Sequence, residues 1–120
     1  MVNDPCGLAP DGWHIPSDKE WKAIVTNLGG SKVAGKKMKS TFGWENNGNG
    51  TNISGFSGLP GGYRSDYGTF YNFGNYGLWW SSTEFDTGNA WGRFLFYGNG
   101  VVNRGYGNKA DGLSVRCLRD

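Results

Sequence analysis

The stretch AWGRFLFYGNGVVNRGYGN, residues 90–108, constrains the chain more than any other. Successive strand side chains face opposite sides, so Trp91, Arg93, Leu95 and Tyr97 share one parity and Gly92, Phe94, Phe96 and Gly98 the other. Asn99-Gly100 is a favoured pair for a two-residue type I′ hairpin, whose central residues both take positive φ. That turn sets Gly98 opposite Val101, Tyr97 opposite Val102, Leu95 opposite Arg104, Phe94 opposite Gly105 and Arg93 opposite Tyr106. Opposed residues share a face. One face then carries Trp91, Arg93, Leu95, Tyr97, Val102, Arg104 and Tyr106, a packing surface whose two arginines can pair or snorkel. The other carries Gly92, Phe94, Phe96, Gly98, Val101, Asn103, Gly105 and Gly107. As a core face it would be full of voids, each costing about 1 kcal/mol or more. It is therefore expected to be displayed, with Phe94 and Phe96 as rigid, solvent-exposed anchors over glycine-lined depressions. The competing expectation is that the long loop 41–64 covers both rings.

The remaining composition points the same way. Of 120 residues 22 are glycine, and hydrophobic content is only 37% although aromatics reach 16% with six Trp. A core for one domain must come from few, large side chains joined by many turns, which predicts a loop-rich α+β or β fold and argues against a helical bundle. The net charge of +2 is too small for a nucleic-acid footprint, and no run is long and apolar enough for a membrane span, so neither partner is expected. Met1-Val2-Asn3-Asp4 does not read as a signal peptide.

Two helices are predicted in the N-terminal third. Ser17 followed by Glu20 forms a capping box, and Trp21, Ile24, Val25 and Leu28 recur at helical spacing before Gly29-Gly30, giving a helix over 18–28. SKVAGKKMKS reads as a second helix capped by Ser31, with Val33, Ala34 and Met38 inward and Lys32, Lys36 and Lys39 outward. From Thr41 the chain is polar and glycine-rich, an irregular loop pinned by Trp44, Phe56, Leu59 and Tyr63. From about Gly77 it reads as short strands, LWWSSTE, AWGRFLFY, VVNRGY and LSVRCLR, separated by turns.

Little here suits catalysis or metal binding. His14 precedes a helix cap and reads as a structural hydrogen-bonding residue, and Ser81, Ser82 and Glu84 have no histidine near them in sequence. Glu45 to Asn49 has the oxygen chemistry for calcium but reads more simply as a polar loop, so no metal and no cofactor is expected. Cys6 and Cys117 are too far apart for a CxxC motif. They are either a disulfide, closing a loop for which chain entropy allows about 4–5 kcal/mol, or two free thiols.

In order, the segments CG at 6–7, DGWHIPSDKEWKAI at 11–24, AGKKMK at 34–39, GFSGLPGGYR at 55–64, GLWWSSTE at 77–84, AWGRFL at 90–95, VNRG at 102–105 and LSVRCLRD at 113–120 resemble the Fibrobacter succinogenes major paralogous domain family. That family is similar to the formylglycine-generating-enzyme group, whose GxRLPTEAEWE and GFRC motifs are echoed at 12–21 and 115–117. The resemblance implies a C-type-lectin-like α+β fold: two helices in the N-terminal third, a small antiparallel sheet in the C-terminal third, and long irregular loops. The closely spaced cysteines of those enzymes and the histidines of related iron oxidases have no counterpart here, and the Glu-Pro-Asn and Trp-Asn-Asp signatures of calcium-dependent lectins are missing.

Similar domains serve as variable proteins of diversity-generating retroelements, in which a surface near the C-terminus is diversified. Carried over by motif, the changeable, ligand-binding positions are Phe85, Asp86, Thr87, Gly88, Gly92, Phe94, Phe96, Gly98, Val101, Asn103, Gly105 and Tyr106. Tyr106 is the discordant one, since the hairpin register turns it inward. The expectation is a single non-catalytic recognition domain, at a bacterial surface or on a phage particle, for a protein or glycan ligand. The alternative is a fixed adhesin or carbohydrate-binding module.

Overall fold

The computed structural model describes residues 7–120. It is an α+β fold with β1 (Trp13–His14), α1 (Asp18–Asn27), α2 (Ser31–Met38), β2 (Tyr63–Arg64), β3 (Phe70–Tyr71), β4 (Tyr76–Glu84), β5 (Asn89–Phe96), β6 (Val102–Asn108) and β7 (Leu118–Arg119). The strands form three antiparallel sheets, β1-β7, β2-β3 and β4-β5-β6. The β1-β7 pair, Trp13 opposite Arg119, brings the two ends of the described chain together. Among the described residues no helix is long and apolar enough to cross a membrane.

Helix α1 starts where its capping box requires: the Ser17 hydroxyl accepts from the Glu20 N–H while the Glu20 carboxylate accepts from the Ser17 N–H. Helix α2 differs from expectation in two ways. Its N-cap is Gly30, at φ 98°, and not Ser31. Val33 is 47% exposed, whereas Ala34, Gly35 and Met38 are buried. The cause is a close backbone approach: a Cβ on Gly35 would lie 2.6 Å from the Gly100 carbonyl oxygen. The Gly35 stripe faces the β5-β6 loop and Val33 is rotated outward.

The core lies between the helices and one face of the three-stranded sheet. Trp21, Val25, Ala34, Met38, Trp44, Trp79, Leu95 and Val102 form it, and Phe56 stands edge-on to both Trp21 and Trp79 at 5.9 and 5.3 Å. Buried indoles need hydrogen-bond partners. Trp21 donates to the Trp80 carbonyl and Trp44 to that of Gly58. The irregular segment after Thr41 is thus pinned by Trp44 and Phe56, while Leu59 stays exposed.

The β5-β6 register differs from the one the Asn-Gly pair predicts. Leu95 lies opposite Val102, Arg93 opposite Arg104 and Trp91 opposite Tyr106, a slip of two residues. Neither Asn99 nor Gly100 takes positive φ, so no type I′ turn forms. Tertiary contacts replace it: the Gly35 N–H bonds the Gly100 carbonyl, and the Lys39 ammonium bonds the carbonyls of Phe96 and Asn99 at 2.5 and 2.7 Å. Lys39, expected outward, is therefore buried over the Trp44 ring, and burial lowers its pKa. A two-residue slip preserves parity, so the residues that lie in β5 and β6 keep their expected faces, while Tyr97, Gly98 and Val101 fall outside the strands.

The arginines pair as the sequence suggested, and with one carboxylate. Arg93 Nη1 donates to Asp18 Oδ1 at 2.6 Å, while Arg104 Nε and Nη2 reach both Asp18 oxygens. Burial acts to raise the Asp18 pKa, but the hydrogen bonds from Arg104 and Arg93 outweigh it and hold the carboxyl below its usual value. Removing this anion leaves the buried Arg93 uncompensated. We expect Asp18→Ala to lose about 3 kcal/mol in urea unfolding, and a loss no larger than an ordinary surface change would contradict that role.

His14 sits between two carboxylates, Nε2 on Glu20 at 2.8 Å and Nδ1 on Asp120 at 2.7 Å. The hydrogen bond to Glu20 and then that to Asp120 raise its pKa above 6.5. The folded chain thus binds the proton more tightly than the unfolded one. This contribution is complete below about pH 6.5 and fades as pH rises through the raised value. Glu20, lowered by the Ser17 backbone hydrogen bond, acts oppositely and loses its contribution on acidification. The urea midpoint should fall on the alkaline side of pH 6.5 in the wild type, and less so in His14→Gln. An equal fall in both proteins would assign it to another group.

A candidate recognition surface on the outer sheet face

Alternation along the sheet places Tyr76, Leu78 and Trp80 of β4, Gly92, Phe94 and Phe96 of β5, and Asn103, Gly105 and Gly107 of β6 on the face away from the helices. The mixture of largest and smallest residues has a packing cause. The Phe94 ring lies across Gly105, where an added Cβ would come within 2.8 Å of it, and the Phe96 ring crosses Gly98 within 2.6 Å. Trp80 lies over Gly107, where an added Cβ would meet its ring at 3.5 Å, an ordinary contact. Rings from one position fill the space a glycine leaves at the next, so this face is neither a void-ridden core nor a bare display. Phe94 and Phe96 are accordingly half-buried, not highly exposed, and Tyr76 packs against both at 6.3 and 4.8 Å.

What remains open is a cleft of about 170 Å³. Trp80, Phe94, Gly105 and Gly107 form its sheet side, and Tyr63, Asp111 and Leu113 the other. Backbone bonds hold that second wall in place. Ser114 bridges to β4, its N–H on the Leu78 carbonyl and its carbonyl taking the Trp80 N–H, and Arg64 exchanges two hydrogen bonds with Gly112. The Asp111 carboxylate accepts from the Asp66 N–H at 3.0 Å, and Tyr63 stacks on Tyr71 at 5.4 Å.

The structure divides the twelve sequence-derived positions. Gly92, Phe94, Phe96, Asn103 and Gly105 share the outer face. Phe85, Asp86, Thr87 and Gly88 form the β4-β5 turn, where Asp86 Oδ1 accepts from the Gly88 N–H and the Asn89 amide. The Asn89 hydrogen bond leads in holding the Asp86 carboxyl below its usual pKa. Phe85 stacks on Tyr106 at 4.0 Å, Trp91 meets both rings edge-on, and the Arg104 guanidinium lies 3.5 Å over Trp91. Tyr106 is thus on the helix-side face, as parity requires, yet exposed. Gly98 and Val101 sit at the opposite end in the β5-β6 loop, and the eight residues of β5 alone separate the two ends by roughly 26 Å.

Tyr63, Asp111 and Leu113 are the residues sequence reasoning missed. One signal was available: YRSDYGTFYNF at 63–73 mixes aromatics with Ser, Gly, Asp and Asn, a composition common in binding loops. Tyr67, Phe70 and Phe73 are 92%, 75% and 81% exposed. Elsewhere, Ser81 is buried and donates to the Trp91 carbonyl, and the Asn49 side chain of the polar 45–49 loop accepts from the Trp44 N–H. No cluster of three His, Cys, Asp or Glu side chains able to hold a metal occurs among the described residues. Cys117 is a free, half-buried thiol and no disulfide is seen among the described residues, outside which Cys6 lies.

Fold and site together define a small α+β domain with helices on one sheet face and an aromatic, glycine-floored cleft on the other. The family model described as the Fibrobacter succinogenes major domain matches residues 1–119, and the chain belongs to that family. No curated protein and no solved structure matches it.

The glycines of the surface are not equivalent. A Cβ on Gly92 would lie 2.7 Å from the Trp79 carbonyl oxygen, a backbone atom of the neighbouring strand, whereas at Gly88 the nearest atom is 3.8 Å away. Gly92→Ala should cost about 1–3 kcal/mol and Gly88→Ala no more than about 0.5 kcal/mol in thermal or urea unfolding. Equal costs would mean that the central strand gives way freely.

Proposed function

We propose that the chain is a non-catalytic recognition domain with a C-type-lectin-like fold, holding a protein or glycan ligand at a bacterial surface or on a phage particle. The observation that carries this reading is the open cleft on the sheet face opposite the helices, walled by aromatic rings and floored by glycine backbone. Concave, largely apolar sites with a few polar groups are where ligands bind, and aromatic anchors supply most of the energy of recognition. A relationship to formylglycine-generating enzymes is part of the proposal at the level of ancestry, not of chemistry.

The diversified-surface reading narrows on this geometry. Phe85, Asp86, Thr87 and Tyr106 are exposed, and Gly88 has open space around it. Gly92 is tied to strand backbone and Gly105 to the Phe94 ring. Variation among copies of the gene would therefore concentrate in the β4-β5 turn and at Tyr106, which also borders the cleft, and spare Gly92.

Gly107 allows a direct test, because a Cβ there meets only ordinary contact with Trp80 and the position lines the cleft. Labelled domain would be applied to immobilised neutral glycans and to purified bacterial surface proteins. Gly107→Leu should keep the wild-type melting temperature and lose at least about tenfold in binding, while Lys32→Gln on exposed α2 surface keeps it. Equal binding by wild type and Gly107→Leu would remove the cleft from recognition.

A further inference from the structure

We infer that the cleft takes a ring of a neutral saccharide, without calcium, and that the β2-β3 hairpin extends it into a platform for a longer chain. This rests on the recognition reading above and names its ligand class.

Size comes first. At about 170 Å³ the cleft is close to the roughly 150 Å³ of an engineered cavity that takes up benzene, so one six-membered ring fits. Chemistry comes second. The aromatic residues of the lining are Tyr63, Phe94 and Trp80, rings against which the C–H face of a sugar can lie. At the rim, Asp111 Oδ1 is occupied by the Asp66 N–H, but Oδ2 takes no donor among the described residues, and the Tyr63 hydroxyl makes no hydrogen bond there either. An ionised carboxylate oxygen accepts from hydroxyl donors, and a phenol can both donate and accept. Adjacent sugar hydroxyls supply that pattern.

Charge comes third. Asp111 repels phosphates, sulfates and uronates. Arg64 is held beside it through the two Gly112 hydrogen bonds, and its guanidinium lies against Gly68 of the same hairpin. Among the lining residues Arg93 is committed to Asp18, so Asp111 is the one charge left open, a single acceptor that adjacent hydroxyls can use and that the tetramethylammonium arm below sets against a cation. Tyr71 continues the Tyr63 wall by stacking on it, and Tyr67 and Phe70 project from the same hairpin. Exposing so many aromatic rings in one short hairpin marks a contact surface.

The experiment uses ¹⁵N-labelled domain in excess chelator, titrated with neutral mono- and oligosaccharides built from glucose, mannose, galactose or xylose. At least one series should give saturable shifts at the amides of Gly105, Gly107 and Leu113. Asp111→Asn keeps an oxygen for the Asp66 N–H but lacks the charged acceptor, and should bind about tenfold more weakly. Tyr71→Ala should weaken binding of the oligosaccharide while leaving the monosaccharide unchanged. Unfolding curves of each variant separate lost binding from lost fold. The assignment is overturned if no neutral sugar moves these amides, if Asp111→Asn binds as wild type does, or if tetramethylammonium shifts them in place of sugars. Should the sugars fail while Gly107→Leu still abolishes capture of a purified surface protein, the saccharide assignment falls and the recognition reading stands. If Gly107→Leu also has no effect, both fall.

Discussion

One carboxylate organises this fold. Asp18 lies in the first turn of α1 and receives hydrogen bonds from Arg93 on β5 and Arg104 on β6, which stand directly opposite one another. Like charges facing each other across a strand pair are destabilising, so this register holds only with an anion between them. The same contact joins the helix start to the middle of the sheet and satisfies the buried Arg93. Sliding the strands to the register that an Asn-Gly turn prefers would part the two guanidiniums and leave Asp18 able to hold only one. The local preference of two turn residues is the smaller effect, and the turn opens into a loop whose carbonyls are gathered by Lys39.

The outer face follows from that register. With Arg93, Leu95 and Val102 committed to the helices, alternation sends Phe94, Phe96 and the glycines the other way. There the rings lie across glycine backbone, an arrangement that needs large beside small in a fixed order along both strands. Phe94 over Gly105 and Trp80 over Gly107 close the surface without flattening it. The residual hollow becomes a cleft only because residues 111–114 and Tyr63 are hydrogen-bonded alongside the other edge of β4. Recognition chemistry is thus assembled from a rigid sheet and two connecting segments, a division of labour common in binding proteins.

Much of this was legible in the sequence where the cause is local. The Ser17 and Glu20 box marks the start of α1 unambiguously, and alternation assigned the β5 and β6 residues to faces correctly even though the register was two residues out, because parity survives an even slip. The helix content, the C-terminal strands and the anchoring of the middle segment by Trp44 and Phe56 could be read in the same way. What was not legible depends on partners distant in sequence. Lys39 looks like any solvated lysine until the carbonyls of Phe96 and Asn99 are brought to it. Val33 looks apolar enough for the core, but the close approach of Gly35 to Gly100 turns it out. The cleft wall joins Asp66 to Asp111 across 45 residues, and no periodicity within either segment announces that meeting.

The central claim is that the strands pair with Leu95 opposite Val102, leaving the Phe94 ring over Gly105 on the face away from the helices. Nuclear Overhauser contacts between assigned side chains measure this directly. The account predicts contacts from the Leu95 methyls to those of Val102 and from the Phe94 ring protons to the Gly105 α-protons, with no contact from Phe94 to Trp21 or Val25. Leu95 facing Val101 or Asn103, with Phe94 touching the helix residues, would reverse the two faces and contradict the account.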